Sequence, residues 1–284
     1  MALTLVVMAA GRGSRFGGMK QLADIGPHDE ALLDYAVYDA VRSGFERVVF
    51  VVSEESAGPV EDHVSGGAGR HVDARYALQK TDGRKKPWGT GHAVLTASAE
   101  ADGPFGVVNA DDFYGPRSFE LLGQELAAEQ KNHLLIGFRL RDSLSANGGV
   151  SRGVCEVDAE GFLTTITELH DVEEVDGVVR CRENVPLTGD ELFSANLWGF
   201  QPSFASVLAH EFEAFRAEHE HDQDAEFLIG DGVGRLGKYG DAHVRVVPTP
   251  ERFLGITYSD DVAGVREQVA AFVEAGRYPS PLWS

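Results

Sequence analysis

Cysteine is scarce in this 284-residue chain: only Cys155 and Cys181 occur, and no CxxC spacing relates them. A disulfide framework is excluded, and the two are read as reduced thiols of core or surface. Lysine is scarce as well, six residues beside nineteen arginines. Acidic residues outnumber basic ones by 45 to 25, a formal charge of -20, so sequence-independent attraction to DNA, RNA or an anionic membrane is not expected. Any anionic ligand must then be gripped by a local cationic site. No apolar run approaches the roughly 18 residues of a membrane span. The apolar stretch from Ala2 to Ala10 has no basic region before it, so it does not read as a signal peptide and the expected location is cytoplasmic. Internal repeats at solenoid or hexapeptide periods and low-complexity segments are absent too.

What remains is a chain 43% hydrophobic, 25% charged and 9% aromatic, the balance of a globular protein with a substantial core. One large domain over residues 1–284 is the simplest reading. Leu3 to Ala10 is a nearly continuous apolar stretch stopped by Gly11, which suits a buried parallel strand. Leu32 to Ser43 has apolar residues at helical spacing and ends at Gly44, and Arg47 to Ser53 reads as a second buried strand, completing a βαβ unit. Phe105 to Asn109 predicts another internal strand, Phe119 to Gln130 an amphipathic helix, and the stretch around Leu134–Phe138 a further strand. Alternation of this kind predicts a parallel-rich sheet covered on both faces. After Arg141 come short strands with turn signals, around Gly153–Asp158, Phe162–Glu168 and Gly177–Arg182, read as a β-rich insertion. Phe204–Glu218 is expected to be helical, Ala242–Val247 a strand, and Asp261–Ala275 a last helix.

The first strand delivers the chain to Gly11-Arg12-Gly13-Ser14-Arg15-Phe16-Gly17-Gly18-Met19-Lys20. Glycines there let backbone N–H groups approach phosphate oxygens, and three cations in one loop of so acidic a chain point to an anion. The plain alternative is a strand-to-helix turn. Lys20 is followed by Gln21 rather than Ser or Thr, so the loop is not a P-loop. Its G-x-G-x-x-x-G spacing also fails the dinucleotide fingerprint.

Leu5 to Leu22, read whole as a strand followed by G-x-G-x-R and then a lysine, resembles the opening signature of the sugar nucleotidyltransferases, the NDP-sugar pyrophosphorylases. Gln79 with Pro87-Trp88-Gly89-Thr90-Gly91-His92-Ala93 is similar to that family's base-reading glutamine and P-x-G-T-A-x-A segment, with Gly91 in place of the usual alanine. Val107 to Gly115 resembles its strand ending in Gly-Asp-Asn or Gly-Asp-Asp. The resemblance implies a three-layer α/β/α nucleotide-diphospho-sugar transferase fold, Rossmann-like and of GT-A type, with a mixed central sheet and the β-rich insertion. Residues 1–140 would be the nucleotide-binding half, 141–260 the acceptor half and 261–284 a C-terminal helix and tail. No C-terminal β-helix extension, and so no added acetyltransferase, is expected.

The implied activity is Mg²⁺-dependent transfer of a nucleotidyl group from a nucleoside triphosphate to a sugar 1-phosphate, with release of pyrophosphate, as in NDP-sugar biosynthesis. The implied catalytic residues are Arg15, Lys20 and Asp111, with Asp111 the metal ligand. Ala10, Gly11, Gly13, Ser14, Gln79, Gly89 and Thr90 would bind the nucleotide; Gly153, Glu168 and Asn196 would bind the acceptor. Neither a nucleic-acid nor a membrane partner is expected, and a homo-oligomer stays open.

Two departures bear on this. Leu169 and His170 follow Glu168, where the family often has a lysine for the sugar phosphate. Gly255 stands where its second metal-binding aspartate would be, so a second Mg²⁺ is not expected there unless a different loop geometry lets Asp260 or Asp261 substitute. A cytidylyltransferase for a non-sugar phosphate and a non-catalytic nucleotide-binding regulator are the alternatives. Asp112 reads as a helix cap or a group supporting Asp111, with a second ligand as the other option. Asp260 and Asp261 read as helix N-caps, Lys80, Lys85 and Lys86 as a solvated cluster, and the His210–Asp224 stretch as helix plus acidic loop rather than a metal site.

Overall fold

The computed structural model of the chain describes residues 2–11, 19–128, 131–145, 147–240, 242–258 and 260–283. In chain order the elements begin with β1 (Leu3–Met8), α1 (Leu32–Arg42), β2 (Phe45–Val52), α2 (Ala57–Gly66), β3 (Asp73–Leu78), α3 (Thr90–Ser98) and β4 (Phe105–Asn109). They continue with β5 (Asp112–Phe113), α4 (Pro116–Ala127), β6 (His133–Arg139), β7 (Val150–Val157), β8 (Leu163–Val175), β9 (Val178–Arg180) and β10 (Leu192–Phe200). The last are α5 (Ser203–Glu218), α6 (Ile229–Val233), β11 (Val244–Pro248), β12 (Leu254–Gly255) and α7 (Asp261–Glu274).

β1 runs parallel to β2 on one side and to β4 on the other, and β3 extends the parallel set beyond β2. β10 then joins antiparallel to β4 through Trp198, Gly199 and Phe200, so the sheet is mixed. The first half of β10 lies between β6 and β7, and the pairs β7–β8 and β8–β9 carry the sheet outward as the expected β-rich insertion. β11 closes the other side, parallel to β6. The strands of the parallel core are apolar on both faces because both faces are covered. One core cluster packs Leu5, Val7, Val48 and Phe50 against Val37, Phe119 and Leu122 of α1 and α4. Across the sheet a second gathers Val6, Val49, Val107 and Trp198 with Val94, Phe204 and Leu208 of α3 and α5. This is the expected three-layer α/β/α architecture with a mixed central sheet.

A third, smaller cluster lies under α7, where β12 pairs with β5 and Leu254, Ile256 and Val265 pack with Phe113 and Tyr35. The C-terminal segment closes over it: Tyr278 meets Tyr35 edge to face at 5.0 Å and donates its hydroxyl to Asp39 Oδ2 at 2.7 Å.

This topology decides where chemistry can sit. From β1 the chain moves to β2 on one side and later to β4 on the other, so their carboxyl ends open a crevice at a topological switch point. Met8 and Asn109 are paired at that end, and the glycine loop and the Asp111-Asp112 pair both leave from it.

Candidate functional site

The glycine loop departs from β1 at Gly11 and returns at Met19. Arg12, Gly13, Ser14 and Arg15 lie outside the described residues, so the expected roles of Gly13, Ser14 and Arg15 fall there. Both ends of the loop are pinned by one side chain. Gln21 is buried and donates Nε2 to the carbonyls of Ala9 at 3.1 Å and Gly11 at 3.3 Å. A single 3-10 turn over Lys20–Leu22 turns the lysine back across the crevice, and Lys20 Nζ donates to Asp111 Oδ2 in an ion pair.

Asp112 has a different environment from its neighbour. It is buried and accepts Asn109 Nδ2 at 2.7 Å. Burial raises its pKa, with the adjacent Asp111 charge adding to the effect. It is not a helix cap, because the N-cap of α4 is Gly115, followed by Pro116 at the first helical position. Instead Asp112 pairs with Gly255 across β5 and β12. A Cβ at residue 255 would stand 2.8 Å from the Phe253 ring and 3.1 Å from Asp112 Oδ1, so the glycine is the residue that lets the two strands meet over this carboxylate. The Asp261 carboxylate is engaged in hydrogen bonds of its own. Its two oxygens accept Ser145 Oγ, Asn147 Nδ2 and the backbone N–H groups of Thr257 and Tyr258, all within 2.9 Å, which clamps two loops together.

From Lys20 and Asp111 a cavity of about 950 Å³ extends under β7, β8 and β10. Of the expected residues it brings together Lys20, Thr90, Asp111, Gly153, Glu168 and Asn196. Gly153 and Glu168 face each other across the β7–β8 pair. A Cβ on Gly153 would come within 2.9 Å of Ile166 and 3.4 Å of Glu168 Oε2, and burial raises the Glu168 pKa. Asn196 sits in the irregular part of β10, between its two paired halves, with φ of 60°. That left-handed residue, a conformation asparagine tolerates better than most, brings Asn196 into the cavity wall, where its Oδ1 accepts Trp198 Nε1 at 3.2 Å.

Ala10, Gly11, Gln79 and Gly89 are not in the lining of this cavity. Gln79 is buried and donates Nε2 to the Gly89 carbonyl at 2.9 Å. Gly89 has φ of 102°, and it leads α3 past Phe227 through two backbone bonds, Phe227 N to Trp88 O and Gly91 N to Phe227 O. An alanine at 91 would put its Cβ 2.7 Å from the Phe227 ring. Thr90 accepts Ile229 N at 3.2 Å, tying α6 to α3. In the neighbouring loop Lys86 is paired with Glu226 at 3.0 Å.

Sequence reasoning gave no role to Gln21, Asn109 or Arg152. The first two lay inside quoted motifs. Arg152 carried one weak signal, a lone cation directly before Gly153. Leu169, at the position of the absent lysine, is turned into the core at 2% exposure and is paired across the strands with Arg152.

A Mg²⁺ ion needs oxygen ligands, one or two carboxylates together with substrate phosphates and water, rather than a cage of protein ligands. Among the described residues no group of three or more His, Cys, Asp and Glu is arranged to hold a metal. Asp111 fits the smaller requirement: it is a partly exposed carboxylate whose present counter-charge is the Lys20 ammonium, a cation standing where another can stand.

Residues 5–135 match the MobA-like NTP transferase domain family. No curated protein sequence matches the chain. Among solved structures, the inositol-1-phosphate CTP transferase from T. maritima superposes with a TM-score of 0.65 at 14% identity, over 94% of this chain and 95% of that one. A UDP-glucose pyrophosphorylase complexed with UDP-glucose gives 0.64 at 18% identity, over 95% and 99%. HddC from Yersinia pseudotuberculosis gives 0.59 at 15%, over 93% and 98%. The likeness to these three is one of fold.

Proposed function

We propose that the protein is a Mg²⁺-dependent nucleotidyltransferase that transfers a nucleoside monophosphate from a nucleoside triphosphate to a sugar 1-phosphate, forming an NDP-sugar and pyrophosphate. The observation that carries the reading is the Lys20–Asp111 ion pair at the switch point of the sheet, opening onto a cavity large enough for a phosphorylated small molecule. The pair holds, one against the other, the two opposite charges that a triphosphate and its divalent cation would each require. The match of residues 5–135 to the MobA-like NTP transferase domain supports the nucleotide half.

In the proposed reaction an oxygen of the acceptor phosphate attacks the α-phosphorus in line. One P–O bond forms, the bond to the β-phosphate oxygen breaks, and pyrophosphate departs with the electron pair. An ionised phosphate needs no general base, so positioning and neutralisation of charge carry the catalysis. Lys20 and Arg15 would neutralise the departing pyrophosphate. Gln79 and Gly89 would set the wall against which the base is chosen. Gly153, Glu168 and Asn196 would hold the acceptor's hydroxyl groups. Asp111 would hold Mg²⁺, which when bound supplies Lewis-acid neutralisation of the phosphates.

Leu169, buried where a lysine would meet a sugar phosphate, favours one second reading, a cytidylyltransferase for a non-sugar phosphate. Pyrophosphate release, measured with Mg²⁺ for each common nucleoside triphosphate against sugar 1-phosphates and small phosphate alcohols, separates the two. Turnover with a sugar 1-phosphate supports the first reading. Turnover confined to phosphate alcohols supports the second, and silence with every pair contradicts both.

A further inference from the structure

Two side chains of fixed positive charge line the cavity among the described residues, Lys20 and Arg152. Lys20 is committed to Asp111. Among the described residues Arg152 is committed to no carboxylate: its guanidinium bonds run to neutral oxygens, from Nε to Ser143 Oγ at 3.1 Å, from Nη2 to the Ser143 carbonyl at 2.6 Å and from Nη1 to the Ser151 carbonyl at 2.9 Å. A guanidinium has five N–H groups. These bonds use three of them and leave one on each terminal nitrogen.

The group is also held in a fixed orientation. The rings of Phe193 and Phe253 lie 5.3 and 5.4 Å from its central carbon, and its stem rises from β7 beside Gly153. Burial is the main influence on it and lowers its pKa; Asp112, Glu168 and Asp261 oppose that from a distance. A partly buried cation without a contacting counter-ion costs stability, and a planar fork in a cavity wall is the donor set that suits an oxyanion bound by two of its oxygens.

We infer that Arg152 is the residue of the acceptor half that binds the acceptor's phosphate, gripping it with the two remaining N–H groups. The inference rests on the nucleotidyl transfer proposed above and assigns the acceptor's phosphate to one side chain of β7. A phosphate on Arg152 leaves the remainder of the molecule beside Gly153, Glu168 and Asn196, where a hydroxyl-bearing body finds a carboxylate and an amide.

The test titrates inorganic phosphate, and acetate in parallel, into the intact protein by calorimetry and ³¹P line broadening. The proteins are wild type, Arg152→Met, Arg152→Gln, Ser143→Ala and Lys20→Met. The expected result is phosphate binding weakened about tenfold or more by either change at Arg152. Lys20→Met should leave a phosphate site that still responds to Arg152→Met made in the same chain, and acetate should bind more weakly than phosphate. Ser143→Ala removes a neighbour of the guanidinium but not the cation, so it should lower the melting temperature while retaining phosphate. Wild-type phosphate affinity in a folded Arg152→Met or Arg152→Gln protein overturns the inference, as does loss of all binding in Lys20→Met. Tighter acetate than phosphate binding overturns phosphate as the anion held at Arg152. Binding of Mg²⁺-nucleoside triphosphate to the same proteins keeps the two claims apart. Triphosphate bound while phosphate ignores Arg152 refutes this inference alone; no triphosphate bound by wild type refutes nucleotidyl transfer itself.

Discussion

Replacing Gly89 with alanine probes the joint on which the proposed base-reading wall is built. Gly89 has φ of 102°, and a Cβ there would lie 2.6 Å from the Phe227 carbonyl oxygen and 3.0 Å from its nitrogen. The Gly89 ψ of -177° places it in a region essentially confined to glycine, where an L-residue costs about 1–3 kcal/mol. Relief of the contact requires Phe227 to withdraw, and the same two atoms make the 2.6 Å bond to Trp88 O and the 2.9 Å bond from Gly91 N. Losing each contributes about 1 kcal/mol, so Gly89→Ala should destabilise by about 3–5 kcal/mol. Gly83 supplies the control: its φ is 81° but nothing stands within 4 Å of a Cβ. Gly83→Ala should therefore lose only the backbone component, about 1–2 kcal/mol. Urea unfolding with unchanged slope measures both. Equal losses in the two variants would refute the close approach of Phe227 as the reason residue 89 is glycine.

Two further outcomes are expected. Burial pushes Asp39 up to about 8 while its Oδ2 accepts the Tyr278 hydroxyl. The unfolded chain gives up this proton from the ordinary aspartate value of 3.8 upward and the folded chain keeps it to about 8, so this residue makes stability fall as pH rises through that window. Asp39→Asn, which still offers an oxygen to Tyr278, should gain on wild type by at least about 1 kcal/mol across the window and hold the gain above it; a gain that does not change with pH in urea unfolding would contradict this. Burial likewise pushes the Cys155 thiol up to about 12. Alkylation followed by mass spectrometry near pH 8 should leave Cys155 unmodified in the folded protein and modify it in urea, and rapid labelling of the folded protein would count against its burial.

Much of the fold is legible in the sequence where burial is two-sided and local. The unbroken apolar runs of β1, β2 and β4 announce a parallel core, and the loops that leave β1 and β4 carry the glycines and carboxylates that mark its crevice. α2 and β3 escape such reading for a physical reason. α2 buries only Val60 and Val64, and β3 is an outer strand with one buried residue of six. The parts of the candidate site that pattern could not supply are the ones made by distant pairing. Gly255 reads as a missing aspartate until its strand is seen lying over Asp112. Asp260 and Asp261 read as a helix cap, whereas Asp261 clamps loops more than a hundred residues apart in sequence. Arg152 is one arginine among nineteen until the cavity shows which way it faces.

The central claim is that Lys20 and Asp111 form a working pair for phosphate chemistry rather than a structural ion pair. The measurement that tests it most directly is Mg²⁺-dependent pyrophosphate release by wild type, Asp111→Asn and Lys20→Met, with unfolding curves on the same preparations. The pair is partly exposed, so both variants should remain folded, with turnover reduced by about a hundredfold or more. Folded variants that release pyrophosphate at the wild-type rate would contradict the account.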